Sequence, residues 1–152
     1  MRVLYPGSFD PPHLGHMSVV ARLASAHDEV VVAVVGNPAK TEFLPMETRR
    51  ELLEALVAPW DNVEVVVHDG LLVDLALRLH VTTIARAAGK EANGELVMAT
   101  MNQRLSGMQT ILVAPDAAVG SIGSRQVRAC VLLGRRELAR SLVPPVVYDA
   151  LP

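Results

Sequence analysis

Cysteine is nearly absent from the 152 residues: Cys130 stands alone, which excludes a disulfide framework and a cysteine-based metal site and points to a reducing compartment. Excess charge is absent too. A formal net charge of -2 supplies no sequence-wide basic field for nucleic acid, so any recognition of phosphate must be local. Long apolar runs are missing: the longest, such as residues 30–36, are strand-sized and far short of the roughly 20 residues of a membrane span. The opening MRVLYPGSFD is broken by Pro6 and Gly7 and does not read as a signal peptide. There is no internal repeat, low-complexity stretch or linker. The expectation is one soluble, cytoplasmic domain spanning 1–152, with no membrane and no nucleic-acid partner.

What is present is a globular composition, 51% hydrophobic and 20% charged. A chain of this size can bury roughly 70% of its unfolded surface in one core. β-Branched runs recur at residues 2–5, 29–36, 62–68, 82–85 and 110–114, and their hydrophobicity is continuous rather than alternating, as suits strands covered on both faces. Helical patterns lie between them at 16–26, 46–58, 71–79 and 91–105, with shorter helices expected after residue 119, where Pro144 and Pro145 interrupt the tail. Pro45 and Glu47 suit the start of the second helix. Such alternation predicts an α/β fold: a doubly wound, Rossmann-like open parallel sheet of about five strands with helices on both faces.

The most informative segment joins the first strand to the first helix and reads Tyr5-Pro-Gly-Ser-Phe-Asp-Pro-Pro-His-Leu-Gly-His16. Ligands of such sheets bind beyond the carboxyl ends of the strands, where a helix N-terminus offers unpaired N–H groups to phosphate. Gly7 lets backbone approach a phosphate, Ser8 adds a hydroxyl, and His13 and His16, three apart, share a face if the helix begins near Leu14. A lone pair of histidines at this spacing is usually incidental; the whole string is far more specific.

At Gly7-Ser8-Phe9-Asp10-Pro11 and His13-Leu14-Gly15-His16 the chain resembles the nucleotidyltransferase superfamily marked by a histidine-x-glycine-histidine loop, and within it the phosphopantetheine adenylyltransferase family. Nearly the whole chain takes part, including Asn37-Pro38-Ala39-Lys40, the stretch from Glu95 to Asn102 and the closing Leu142-Val143-Pro144-Pro145-Val146. The resemblance implies adenylyl transfer from ATP to 4'-phosphopantetheine, giving dephospho-coenzyme A and pyrophosphate, with Mg²⁺ held mainly by ATP, no protein metal site, and a homo-oligomer, by resemblance a hexamer. It implies catalytic roles for His16, Lys40 and Arg86, and nucleotide contacts from Gly7, Ser8, Phe9, His13, His16, Gly89, Glu95, Ser121, Ile122, Gly123, Ser124 and Arg125. The acceptor would meet Ser8, Lys40, Leu71, Leu72, Arg86 and Asn102. On spacing alone Met98 and Met101 read more readily as core than as lining of an acceptor tunnel.

Two motifs depart from the family's pattern. An Arg-Gly-Leu-Arg run is replaced by Arg86-Ala87-Ala88-Gly89 before Lys90, and a serine-rich helix start is replaced by Ile122-Gly123-Ser124-Arg125. Lys90 or Arg125 is expected to supply the missing positive charge, while Ser124 suits capping or phosphate binding. The alternatives are an adenylyltransferase acting on nicotinate or nicotinamide mononucleotide, an enzyme using CTP, or a nucleotide-binding regulatory protein with little turnover.

Overall fold

A computed structural model describes residues 1–89 and 92–152, without the side chains of Ala92, Asn93, Glu95 and Leu96. The strands are β1 (Arg2–Gly7), β2 (Glu29–Val35), β3 (Val63–His68), β4 (Thr83–Ala87) and β5 (Gln109–Val113). The helices are α1 (Leu14–Ala26), α2 (Met46–Val57), α3 (Leu72–Arg78), α4 (Ala92–Ser106), α5 (Ser124–Leu132) and α6 (Pro145–Ala150), with a 3-10 turn at Arg136–Ser141 before the last. One parallel sheet runs β3-β2-β1-β4-β5.

The valine-rich runs make strands because both sheet faces are covered and successive side chains point to opposite faces. Val3 and Tyr5 of β1 and Val30, Val32 and Val34 of β2 pack against Val19, Val20 and Leu23 of α1 and Leu53 of α2. The intervening Leu4, Val31 and Ala33 pack on the other face against Leu75 and Ala76 of α3. A third cluster ties Leu44 and Leu52 to Val127 of α5 and to Ala139, Val143, Val147 and Leu151 of the tail, so the carboxyl-terminal segment is bound to the same domain.

Strand order reverses at β1, which pairs with β2 on one side and β4 on the other. That reversal opens a crevice at the carboxyl ends of β1 and β4, the place where open α/β sheets take ligands. Element boundaries differ from the sequence-based expectation where side-chain chemistry decides them. α1 starts at Leu14, two residues early, because His13 caps it. β4 extends through Ala87, which places Arg86 within the strand. Among the described residues, no helix is long and apolar enough to cross a membrane.

Candidate functional site

The loop after β1 is held by its own rings. Phe9 has a positive φ of 46°, a left-handed conformation that costs a residue with a side chain on the order of 1–3 kcal/mol and persists only when its surroundings impose it. Here Phe9 is 1% exposed and edge-on to both Tyr5, at 5.5 Å, and His16, at 4.8 Å. A Cβ on Gly7 would lie 3.0 Å from the Phe9 ring. Gly7 therefore makes room for that ring, and its other side borders the central cavity described below.

His13 is the N-cap of α1, and its ring stacks on His16 with centroids 3.6 Å apart. The Nδ1 of His13 accepts from the His16 N–H and the Nδ1 of His16 accepts from the His13 N–H, both at 3.3 Å. With each Nδ1 an acceptor, the proton of each neutral ring sits on Nε2, which remains a donor. Neutrality is reinforced by the surroundings. Burial pushes His13 down to about 4, and burial followed by the neighbouring His13 holds His16 well below the usual histidine range. A pair of uncharged N–H donors suits a phosphate that must be bound without a proton being lost to it.

Asp10, which the sequence offered only as part of a turn, is 7% exposed and accepts from the Phe43 and Leu44 amides, each at 2.8 Å. It thereby fastens the first loop to the segment carrying Lys40. Lys40 itself sits on a turn closed by Asn37, whose Oδ1 accepts from the Ala39 N–H at 2.9 Å. The guanidinium of Arg49 donates to the Ser8 carbonyl at 2.8 Å and pairs with Glu42. From α5, Arg128 donates to the Asp10 carbonyl at 2.7 Å and Ser124 donates its hydroxyl to the Pro11 carbonyl at 2.9 Å. Gly123, not Ser124, occupies the N-cap of α5; Ser124 ties the helix to the first loop instead.

Arg49 and Arg128 escaped the sequence reading, yet Arg49 had a signal. Residues 49, 52 and 53 follow helical spacing, which puts Arg49 on the apolar face with Leu52 and Leu53, and its side chain is 2% exposed. Arg50 turns the other way and pairs with Glu47 and Glu54.

Four concavities meet around this loop. The central one, about 220 Å³, is lined by Gly7, Ser8, Phe9, His16 and Arg86. Arg86 reaches it from β4 and donates to the Pro6 carbonyl at 3.3 Å, bridging the ends of the two strands. A cleft of about 380 Å³ brings together Ser8, Lys40, Leu71, Leu72, Arg86 and Met98. A smaller cavity, about 160 Å³, holds His13, His16, Gly89, Val119 and Ile122. The fourth, about 310 Å³, contains Ser8, Lys40, Arg49, Arg125 and Arg128.

Most of the residues expected from sequence thus converge. Asn102 does not: it is 8% exposed, one turn beyond Met98 on α4, and stands outside the lining of the cleft. Ser121, which is exposed beside Ile122, lines none of these four cavities, and neither do Gly123 and Ser124. Met98 and Met101 are half exposed, against the core reading, and Met98 lines the cleft. The Glu95 side chain and Lys90 lie outside the described residues, and with them half of the expected charge compensation.

The cytidylyltransferase-like family matches residues 4–129. The phosphopantetheine adenylyltransferase of Cutibacterium acnes is 37% identical over 99% of this chain and 96% of its own length. That of Streptomyces coelicolor is also 37% identical, over 99% and 94%. That of Aquifex aeolicus is 40% identical over 84% and 80%. Among solved structures, a putative nicotinate-nucleotide adenylyltransferase from Vibrio parahaemolyticus superposes with a TM-score of 0.67, covering 97% of this chain and 89% of its own, at 17% identity, a likeness of fold alone.

Proposed function

The chain belongs to the cytidylyltransferase-like family and, within it, to the phosphopantetheine adenylyltransferases, and on that footing we propose that it transfers AMP from ATP to 4'-phosphopantetheine, forming dephospho-coenzyme A and pyrophosphate. The observation that carries this reading is the cleft in which Ser8, Lys40 and Arg86 stand at one end of an apolar wall of Leu71, Leu72 and Met98. Such a cleft suits an acceptor that has a phosphate at the tip of a long, weakly polar arm. A mononucleotide would bring a second base and ribose to a wall that offers them little polar contact.

An acceptor phosphate oxygen attacks the α-phosphorus of ATP in line; the bond from phosphorus to the bridging oxygen breaks, and its electron pair leaves with pyrophosphate. Such a step gains from positioning and charge neutralisation more than from covalent help. Lys40 and Arg86 neutralise the two phosphates brought together, and the neutral His16 donates Nε2–H to the α-phosphate oxygens. The cavity of Gly89, Val119 and Ile122 takes the nucleoside, with His13 at its edge, and Phe9 supports His16 from beneath.

We keep Mg²⁺ on the nucleotide. Among the described residues no three of His, Cys, Asp or Glu gather, and the carboxylates beside the site are engaged, Asp10 by backbone amides and Glu42 by Arg49. The ion would supply charge neutralisation on the ATP phosphates, and no protein ligand is assigned to it. A cytoplasmic location suits this chemistry. A homo-oligomer, a hexamer by family resemblance, suits the exposed Val97, Met101 and Leu105 of α4, spaced at four residues, and Leu112 on the edge strand β5.

The test is pyrophosphate release by the purified protein with ATP or CTP and with phosphopantetheine, nicotinate mononucleotide or nicotinamide mononucleotide in competition. Phosphopantetheine with ATP should win. Faster turnover of either mononucleotide, or of CTP, would move the chain to the rival reading, and no turnover at all would favour a regulatory protein.

A further inference from the structure

We propose that Ser18 and Arg22 of α1, acting through Asp116, form a latch that seats the segment 115–122 over the nucleoside cavity, so that these three residues position ATP without touching it. This rests on the adenylyl-transfer reading, which gives the cavity its ligand. Pro115, Val119, Gly120 and Ile122 make one part of the cavity wall, and His13, Gly15 and His16, at the start of α1, make another. The shape of the cavity therefore depends on how the segment lies against the helix. Gly15, Ser18 and Arg22 fall at i, i+3 and i+7, one stripe along α1. The segment meets that stripe at three points. The Asp116 carboxylate pairs with Arg22, whose Nε donates to Oδ1 at 3.2 Å. The Asp116 N–H donates to the Ser18 hydroxyl at 2.7 Å. The Val119 carbonyl oxygen comes within 3.1 Å of the point where a Cβ on Gly15 would stand. From residue 116 to residue 119 the chain thus runs back along α1 toward its N-terminus.

Within the segment the backbone closes two successive turns: the Val119 N–H donates to the Asp116 carbonyl at 3.0 Å and the Ile122 N–H to the Val119 carbonyl at 3.1 Å. These turns move as a unit. Asp116, Ala117, Ala118, Gly120 and Ser121 are exposed, so little apolar burial holds the unit down, and its place is decided by its polar contacts with α1. Those contacts are unequal. The Arg22 and Asp116 side chains are 52% and 61% exposed, and an ion pair so open to water contributes little. Ser18 is 8% exposed, held in the packed face of α1, and offers the Asp116 N–H an acceptor at a fixed place. Without that hydroxyl the N–H regains a partner by moving out toward water, and Val119 and Gly120 move with it. Ser18 therefore does most of the holding. None of Ser18, Arg22 and Asp116 lines the cavity, so all three are positioning residues that act through Val119 and Gly120.

The experiment is calorimetric titration of ATP, and separately of phosphopantetheine, into the full chain and into Ser18→Ala, Arg22→Ala and Asp116→Ala, with thermal melting and steady-state kinetics of each. Neither ligand reacts without the other, so binding is read apart from turnover. Alanine is the stronger helix former at residue 18, and the other two changes alter exposed side chains, so all three variants should melt close to the parent. ATP affinity should fall about tenfold in Ser18→Ala and about twofold in Arg22→Ala and Asp116→Ala, while phosphopantetheine affinity stays within about twofold. In turnover the loss should appear in the KM for ATP, with kcat nearly unchanged, the pattern of groups that seat the nucleotide equally in ground state and transition state. Unchanged ATP affinity in Ser18→Ala would overturn the latch, and so would a parallel fall for phosphopantetheine, which marks a general loosening of the fold. If ATP binding follows Ser18 in a protein that turns over no phosphopantetheine, the acceptor reading fails while the latch stands.

Discussion

The two sides of the crevice are built differently. On the side of the first loop, nearly every turn of backbone is fastened by a side chain from another element: Arg49 to Ser8, Arg128 to Asp10, Ser124 to Pro11, and Asp10 to two amides of the Lys40 segment. On the side of α3 and α4, Leu71 is 71% exposed, Met98 is 49% exposed, and α3 has no side-chain cap. Groups aimed at developing charge must be preorganised to help, because a donor that reorients during the reaction gives back what it gains. An apolar arm needs only area, and a soft wall supplies it. Stiffness is thus concentrated where charge moves.

Breaking the stiff side at its donor should have the largest effect. His16→Ala removes an Nε2–H from the α-phosphate, and the loss of one such donor costs about 3 kcal/mol, or 10²- to 10³-fold in kcat. The helix should survive, since His13 still caps it, and circular dichroism with steady-state kinetics separates the two effects. Turnover near that of the parent would remove His16 from the reaction.

Acid should break the same side without a mutation. The folded pKa of His13 is depressed to about 4, below its unfolded value, so both states are neutral at pH 7 and the stability of the pair is intact there. As pH falls below about 6.5 the unfolded chain takes up the proton first, and stability is lost until the folded ring also titrates near 4, a loss of about 3 kcal/mol from this ring alone. His16, lowered in the same direction, adds to it. His13→Asn keeps an N-cap acceptor but cannot titrate, so urea midpoints measured from pH 7 to pH 4 should fall less steeply than in the parent. Parallel curves would show that the pair is not buried neutral.

A smaller effect is expected from Asp10→Asn. The amide keeps one acceptor and turns an NH₂ toward a backbone N–H, leaving a buried donor unpaired at a cost of about 2 kcal/mol. The Lys40 segment loses its anchor along with that bond. Chemical denaturation should show the loss of stability, and kcat should fall with it; a variant that loses stability but keeps kcat would separate the brace from the chemistry.

How much of this was legible follows from the range of the forces involved. Continuous valine runs and helical periodicity are local, and they disclosed the alternating fold and its approximate boundaries. The string from Tyr5 to His16 disclosed the loop and both histidines. The braces were hidden because they join residues far apart in sequence: Arg128 reaches Asp10 across 118 positions, and Ser124 reaches Pro11 across 113. Nothing in a one-dimensional pattern indicates that the space beside Gly7 is filled by the ring of Phe9, or that Ser124 spends its hydroxyl on a carbonyl rather than on its own helix. Arg49 is the instructive miss, since its place on the apolar face of α2 was readable and a charged residue there demanded a partner.

The soft side should respond in the opposite manner, with little change in stability or kcat and a change in acceptor affinity alone. Leu71 is largely solvent-exposed in the free protein and Met98 half exposed, so truncating Leu71 removes little folded-state burial and truncating Met98 somewhat more; the melting temperature of Leu71→Ala should match that of the parent and that of Met98→Ala should fall only slightly. When the arm of the acceptor lies against them, each covers apolar area worth about 1 kcal/mol, from roughly 0.8 kcal/mol per CH₂ reduced by partial coverage. The KM for phosphopantetheine should therefore rise about fivefold in each variant with kcat and the KM for ATP unchanged, the pattern of an interaction made equally in ground state and transition state. Asn102→Ala is the contrasting case: a side chain that is 8% exposed and stands outside the cleft should alter stability before it alters KM. If instead Asn102→Ala raises the acceptor KM while Leu71→Ala and Met98→Ala leave it untouched, the arm runs along α4 by a different path, and the wall described by Leu71, Leu72 and Met98 is not where the acceptor lies.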